Sequence, residues 1–155
     1  MGHSYEYEMP AVTVDALILK HRAVDVGEWA CDILLIKRRN EPFKGMWALP
    51  GGFVNKFEEP VDACIREVRE ETHIILPHKP CLLYAAGGKD RDPRGWIIAL
   101  TFVADVSIGT TAVAGDDAIE LEWFDMNNLP PMAFDHRETA QRYWAVHPDL
   151  VKTDD

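Results

Sequence analysis

Residues 52–74 constrain the fold of this chain more than any other stretch. The stretch opens behind Pro50 with a glycine pair, Gly51-Gly52, and crosses a short loop into a segment over 60–72 that reads as one helix. At about 100° per residue, Val61, Cys64, Ile65, Val68 and Thr72 fall in one arc, the predicted buried stripe. Glu67, Glu70 and Glu71 stand at i, i+3 and i+4, so they share a side, with Glu67 and Glu71 beside the stripe and Glu70 further out. Each like-charged pair weakens such a helix by roughly 0.2–0.5 kcal/mol. A divalent cation would reverse that penalty, and carboxylate oxygens grouped in this way suit Mg²⁺ or Mn²⁺. Taken alone, the hexamer over 66–71 also reads as a solvated acidic face.

The segments on either side supply a sheet. Residues 11–20 are β-rich and roughly alternating, 21–29 read as a polar loop, and 31–36 form an apolar run of strand length. Lys37-Arg38-Arg39 follows, either as an exposed strand end or as contacts for substrate phosphates. A turn-rich loop over 40–45 and a brief strand over 46–49 lead into the glycines. After the helix, Pro77 and Pro80 mark a connector. Strands are then predicted over 81–86, 96–106 and 119–125, separated by a turn over 87–95 and a loop of small residues over 107–118. Asp135 and Glu138 have the spacing of a capping box, which starts a second helix near Asp135, anchored by Tyr143 and Trp144. The expectation is a single α/β domain over 1–155, with a mixed β-sheet between helices. Residues 1–9 form a polar, aromatic tail, flexible or part of an interface.

A formal charge of −10 on 155 residues argues against a surface for nucleic acid or anionic membrane. An anionic ligand must then be attracted locally, by a metal and a few arginines. Cys31, Cys64 and Cys81 are odd in number and lie in apolar stretches, so reduced core thiols and a cytoplasmic protein are expected. No signal peptide and no apolar run near ~18 residues is present, so no membrane span is expected.

The spacing glycine, five residues, glutamate, seven residues, Arg-Glu, apolar residue, any residue, Glu-Glu is met by Gly52, Glu58, Arg66, Glu67, Val68, Glu70 and Glu71. It resembles the Nudix box, which ends in a glycine where this chain has His73. The resemblance implies an α/β/α sandwich and a Mg²⁺-dependent pyrophosphohydrolase, with Mn²⁺ as an alternative ion. It also implies that the Gly51 carbonyl joins Glu67, Glu70 and Glu71 around the metal, and that Arg66 pairs with Glu58 to hold the carboxylates in place. For the general base, Glu70, Asp116, Asp117 and Glu120 are candidates, and spacing does not choose among them. His73 is expected to end the helix somewhat differently from glycine, at a cost of about 1 kcal/mol, without harming the metal site.

The loop over 88–96, the opening 11–15 and the later Ala133-Phe-Asp-His136 resemble the ADP-ribose pyrophosphatase branch of that family. Arg91 and Arg94 offer planar donors for phosphates or ribose hydroxyls, and Trp96 or Phe43 a stacking surface. Arg39 and Gly52 complete the candidate substrate contacts. The implied reaction is hydrolysis of ADP-ribose to AMP and ribose 5-phosphate, by an enzyme of a type often found as a homodimer. The alternatives are a pyrophosphohydrolase for noncanonical or oxidised nucleoside triphosphates or NADH, and a non-catalytic sensor of ADP-ribose or a related metabolite. The retained glutamates and the acidic charge count against the sensor.

Overall fold

In the computed structural model, which describes residues 2, 4–115 and 117–147, the chain begins with a long hairpin. Strands β1 (Ala11–Asp25) and β2 (Glu28–Arg38) pair antiparallel from Leu19 opposite Ile33 to Asp25 opposite Glu28. The polar loop expected over 21–29 is therefore mostly strand. Its charged side chains are no obstacle to pairing because partners meet them across the sheet. Arg22 donates to Asp32 at 2.8 Å and to Asp125 at 2.9 Å, and His21 lies 2.9 Å from Asp105. The turn itself needs only Val26 and Gly27, whose φ of 76° favours glycine.

Past the Leu19–Ile33 pair, β1 and β2 part, and the next piece of chain fills the fork. Strand β3 (Trp47–Ala48) pairs with β2 at Ile36 and Lys37, and β4 (Gly51–Phe53) pairs with β1 at Thr13, Val14 and Asp15. Along the other edge of β1 runs β6 (Ile97–Val106) in parallel, followed by β5 (Cys81–Ala86). On the other edge of β2 lies β7 (Ala118–Asp125). Among the described residues the sheet has seven strands, mixed through the β1–β6 pair.

One helix covers each face. Val14, Ala16, Ile18 and Leu34 pack with Ala63, Cys64 and Val68 of α1 (Pro60–Thr72). Leu17, Leu19, Cys31, Ile33 and Leu35 pack with Ala140 and Tyr143 of α2 (His136–Val146). The middle of β1 is thus buried on both sides, and each such Leu or Ile contributes about 1.5–3 kcal/mol. This is the expected α/β/α sandwich. Of the expected helix stripe, Cys64, Val68 and Thr72 are buried, whereas Val61 and Ile65 are half-buried and Ala63 faces the core.

Asp135 precedes α2 as expected but makes no side-chain cap, because Arg91 holds both its oxygens. All three cysteines are free. Burial pushes the Cys31 and Cys64 thiols up to about 12, while Cys81 is exposed on β5 rather than in the core. Among the described residues no helix is long and apolar enough to cross a membrane.

Candidate active site

The fork between β1 and β2 opens onto a cavity of about 360 Å³ that takes residues from β1, β2, β4 and α1. Six carboxylates line it: Asp15, Glu41, Glu67, Glu71, Asp92 and Asp117. Four guanidiniums line it too: Arg38, Arg39, Arg91 and Arg94. Between these groups pass Gly51 and Gly52, where side chains have no room. A Cβ on Gly51 would strike the Val14 carbonyl and the Asp15 carboxylate, and one on Gly52 would strike the carboxylate of Glu67. Glycine at both positions is what lets β4 run between β1 and α1. The Gly51 N–H donates to Glu71 Oε2 at 2.9 Å, and Ala16 N–H donates to the Pro50 carbonyl at 2.8 Å, so the loop is pinned from both sides.

Arg66 organises the acidic side. Its Nε and Nη2 donate to Glu58 at 2.7 and 3.0 Å. Nη1 donates to Glu67 at 2.7 Å and Glu70 at 3.2 Å, and Nη2 also reaches the Phe53 carbonyl at 3.0 Å. The bond from Arg66, helped by the Asn55 N–H, holds the Glu58 carboxyl below its usual range, and the same bond raises the Arg66 guanidinium. Glu67 is drawn inward, its side chain 14% exposed, while Glu70 is 43% exposed. Glu70 lies on the outer surface beside Asp62, Ile65, Arg69 and His73 rather than on the cavity. Burial pushes Glu71 well above the usual carboxylate range, and the nearby charges of Glu67, Asp117 and Asp15 add to the rise. Burial also raises Glu67, against the pull of Arg66.

Among the described residues, no three Asp, Glu, His or Cys side chains converge tightly enough to hold a metal ion by themselves. The donor chemistry nevertheless fits a hard divalent cation. Glu67, Glu71, Asp15 and Asp117 present carboxylate oxygens to one cavity, and buried Glu71 makes no salt bridge among the described residues, with only the nearby Arg38 charge offsetting it. Buried carboxylates without a counter-charge are unfavourable, and a cation relieves them.

The sign of the Glu71 and Glu67 shifts has a measurable consequence. A carboxyl raised in the folded state is protonated there before it is in the unfolded chain. Its contribution is therefore favourable at low pH and is lost as pH rises from about 4.5 through the raised value. In chelator-treated protein, Glu71→Gln is expected to raise the melting temperature more at pH 7 than at pH 5. An equal change at both values in calorimetry would show that Glu71 is not strained.

The other expected residues divide. Arg39, Gly52, Arg91, Arg94 and Asp117 line the cavity with Glu67, Glu71 and Gly51, whereas Arg66 and Glu58 stand behind Glu67. Trp96 lies elsewhere, half exposed on a shallow depression formed by residues 87–90, 92, 93 and 95. Phe43 packs against Phe134 at 4.7 Å without lining the cavity. Glu120 pairs with Lys37 at 3.3 Å, away from the site, and Asp116 lies outside the described residues. Asp117 is steadied by Asn40, which donates to Oδ1 at 3.1 Å, and by Arg39 N–H on its carbonyl at 3.0 Å.

Arg38 and residues not singled out from the sequence as site residues, Asp15, Phe53, Phe134 and His136, also belong to the site. Arg38 and Arg94 each lie 5.1 Å from the Phe134 ring, and Arg94 lies 4.9 Å from Phe53. Burial, with the neighbouring Arg94 charge, lowers the Arg38 guanidinium. His136 accepts the Leu49 N–H on Nδ1 at 3.0 Å, which places its proton on Nε2, 3.4 Å from Asp15 Oδ1. The signals were present: a lone Asp15 within an apolar strand, and the Phe134-Asp-His136 run. Only the fold joins them.

Known proteins resemble this chain in sequence and fold. A NUDIX domain model matches residues 10–143. An ADP-ribose pyrophosphatase of Methanocaldococcus jannaschii is 49% identical over 137 residues, covering 88% of this chain and 75% of that protein. An ADPR responsive transcriptional repressor of Acinetobacter baylyi is 33% identical over 144 residues, covering 90% of this chain but only 55% of the repressor. The NUDIX domain of Shewanella oneidensis NrtR, solved with ADP ribose, superposes with a TM-score of 0.80 at 26% identity, covering 90% of each chain. With its box folded around the cavity and most of its length matched by the family model, the chain belongs to the Nudix family.

Proposed function

We propose that the cavity hydrolyses the pyrophosphate of ADP-ribose, releasing AMP and ribose 5-phosphate. The observation that carries this reading is the meeting of six carboxylates and four guanidiniums in one cavity of about 360 Å³. One set suits a cation and the other suits phosphates, as a metal-assisted pyrophosphohydrolase requires. The pyrophosphatase and the ADP-ribose-bound domain among its relatives support the choice of substrate.

In this reading Glu67, Glu71 and the Gly51 carbonyl hold Mg²⁺, with Glu70 the outermost member of the set. Mg²⁺ bound there screens the phosphate charge and lowers the pKa of a coordinated water. Arg66 keeps Glu67 turned inward. Arg38 and Arg39 make no salt bridge among the described residues; Arg38 Nε donates to the Pro42 carbonyl and Arg39 Nη2 to the Ala118 carbonyl, and their remaining donors serve phosphate oxygens. Arg91, fixed by two bonds to Asp135, keeps a buried Nη1 without an acceptor, a donor ready for a ligand oxygen. Of the expected base candidates, Asp117 is the described one that lines the cavity without serving as a metal ligand, and it takes the proton of the attacking water. The three unpaired cysteines accord with a cytoplasmic setting.

A substrate panel with and without Mg²⁺ tests the reading. ADP-ribose should turn over faster than NADH or oxidised nucleoside triphosphates, and a chelator should abolish the activity. Turnover of triphosphates with ADP-ribose spared would contradict it. Tight binding of ADP-ribose without cleavage would favour a sensor, the role suggested by the repressor among its relatives.

A further inference from the structure

The loop that carries Asp117 is fastened to the C-terminal end of α1. Val113 N–H donates to the Thr72 carbonyl at 2.9 Å, and Gly115 N–H to the Glu71 carbonyl at 3.0 Å. These bonds satisfy two of the carbonyls that a helix end leaves without partners. One side chain joins them. His73 is the residue that stops the helix, at φ 58° and ψ 12°, and its Nδ1 donates to the Val113 carbonyl at 2.8 Å. The imidazole also closes over Gly115, where a Cβ would strike the Glu70 carbonyl and come within 2.7 Å of His73 Cε1. Two residues on from Gly115, Asp117 lines the cavity. Ala118 N–H bonds back to the Gly115 carbonyl at 2.9 Å, and Asp117 is caught by Arg39 and Asn40.

Glycine ordinarily fills a left-handed helix stop because a side chain is strained there. Here the strained residue makes, among the described residues, the one side-chain bond from the helix stop to this loop. Resting on the functional reading above, we infer that His73 is a positioning residue. Its imidazole locks the loop to the end of α1, and so fixes the Asp117 carboxylate relative to Glu67 and Glu71 on the same helix. The stop itself does not need histidine; the lock does.

The substitution His73→Gly separates the two roles, since glycine keeps the stop and removes the bond. A merely structural histidine predicts equal or higher thermal stability with unchanged activity. A positioning histidine predicts equal or higher stability, with amide exchange at Val113 and Gly115 faster by about tenfold. It also predicts kcat for ADP-ribose lower by about tenfold with KM changed less than about twofold. In an Asp117→Asn background the same change should cost nothing further, because the lock acts through Asp117. Unchanged exchange and kcat, or an equal loss with and without Asp117, would overturn the inference. Exchange needs no turnover, so a wild type that spared ADP-ribose would refute the functional reading while the lock is still judged on its own.

Discussion

Glu67→Gln is expected to lower kcat for ADP-ribose by about a thousandfold, equivalent to about 4 kcal/mol of lost transition-state stabilisation. The substitution keeps the shape of the side chain and one oxygen for Arg66 Nη1, so the helix and its packing should survive. What disappears is a formal charge in a cavity where burial and neighbouring carboxylates already raise that group. Without metal, the variant should therefore melt at or above the wild-type temperature. Activity falls because a neutral amide holds a hard divalent cation poorly. Steady-state kinetics and calorimetry together check this. Retained activity would remove Glu67 from the metal site, and a collapsed fold would show that its charge is structural.

Arg66→Ala should damage both properties at once. The guanidinium makes five hydrogen bonds, to Glu58, Glu67, Glu70 and the Phe53 carbonyl, and is 27% exposed. Partial exposure weakens each ion pair below the fully buried case, so the loss of stability is put at about 2 kcal/mol, or roughly 4–8 °C in melting temperature. Glu67 loses the bond that turns it inward, and kcat should drop by about a hundredfold. Lysine should restore little of either, because a point charge cannot replace a planar fork of donors. A loss of stability with full activity would reduce Arg66 to an ordinary ion pair.

These two effects were legible because their causes are local. The helix, the side it turns to the core and the reach of Arg66 to Glu70 follow from a period of 3.6 residues and one short stretch. The apolar runs likewise gave the strands. Elsewhere, distant parts of the chain decide the outcome. Residues 21–25 looked like loop until Asp32, Asp105 and Asp125 came alongside to pair them. Asp135 looked like a cap, but Arg91, far off in sequence, claims its carboxylate. Glu70, read from the helical period as further out than Glu67 and Glu71, does lie outside the cavity, held with Glu67 by Arg66 Nη1.

The same limit applies to the cavity. Asp15 and His136 meet only because β1 and the start of α2 converge on the fork. Trp96, attractive as a stacking surface, is turned to a different face of its loop than Arg91 and Arg94. His73 was expected to end the helix differently from glycine. It adopts the left-handed conformation that glycine would have used and adds a bond that glycine lacks.

A crystal structure with Mg²⁺ and an ADP-ribose analogue whose bridging oxygen is a methylene group would test the central claim most directly. The expected density places metal between the bridged phosphates and the carboxylates of Glu67 and Glu71, Arg38 and Arg39 on phosphate oxygens, and Asp117 beside an ordered water. An analogue bound outside the fork, or one whose phosphates lie away from these carboxylates, would contradict it.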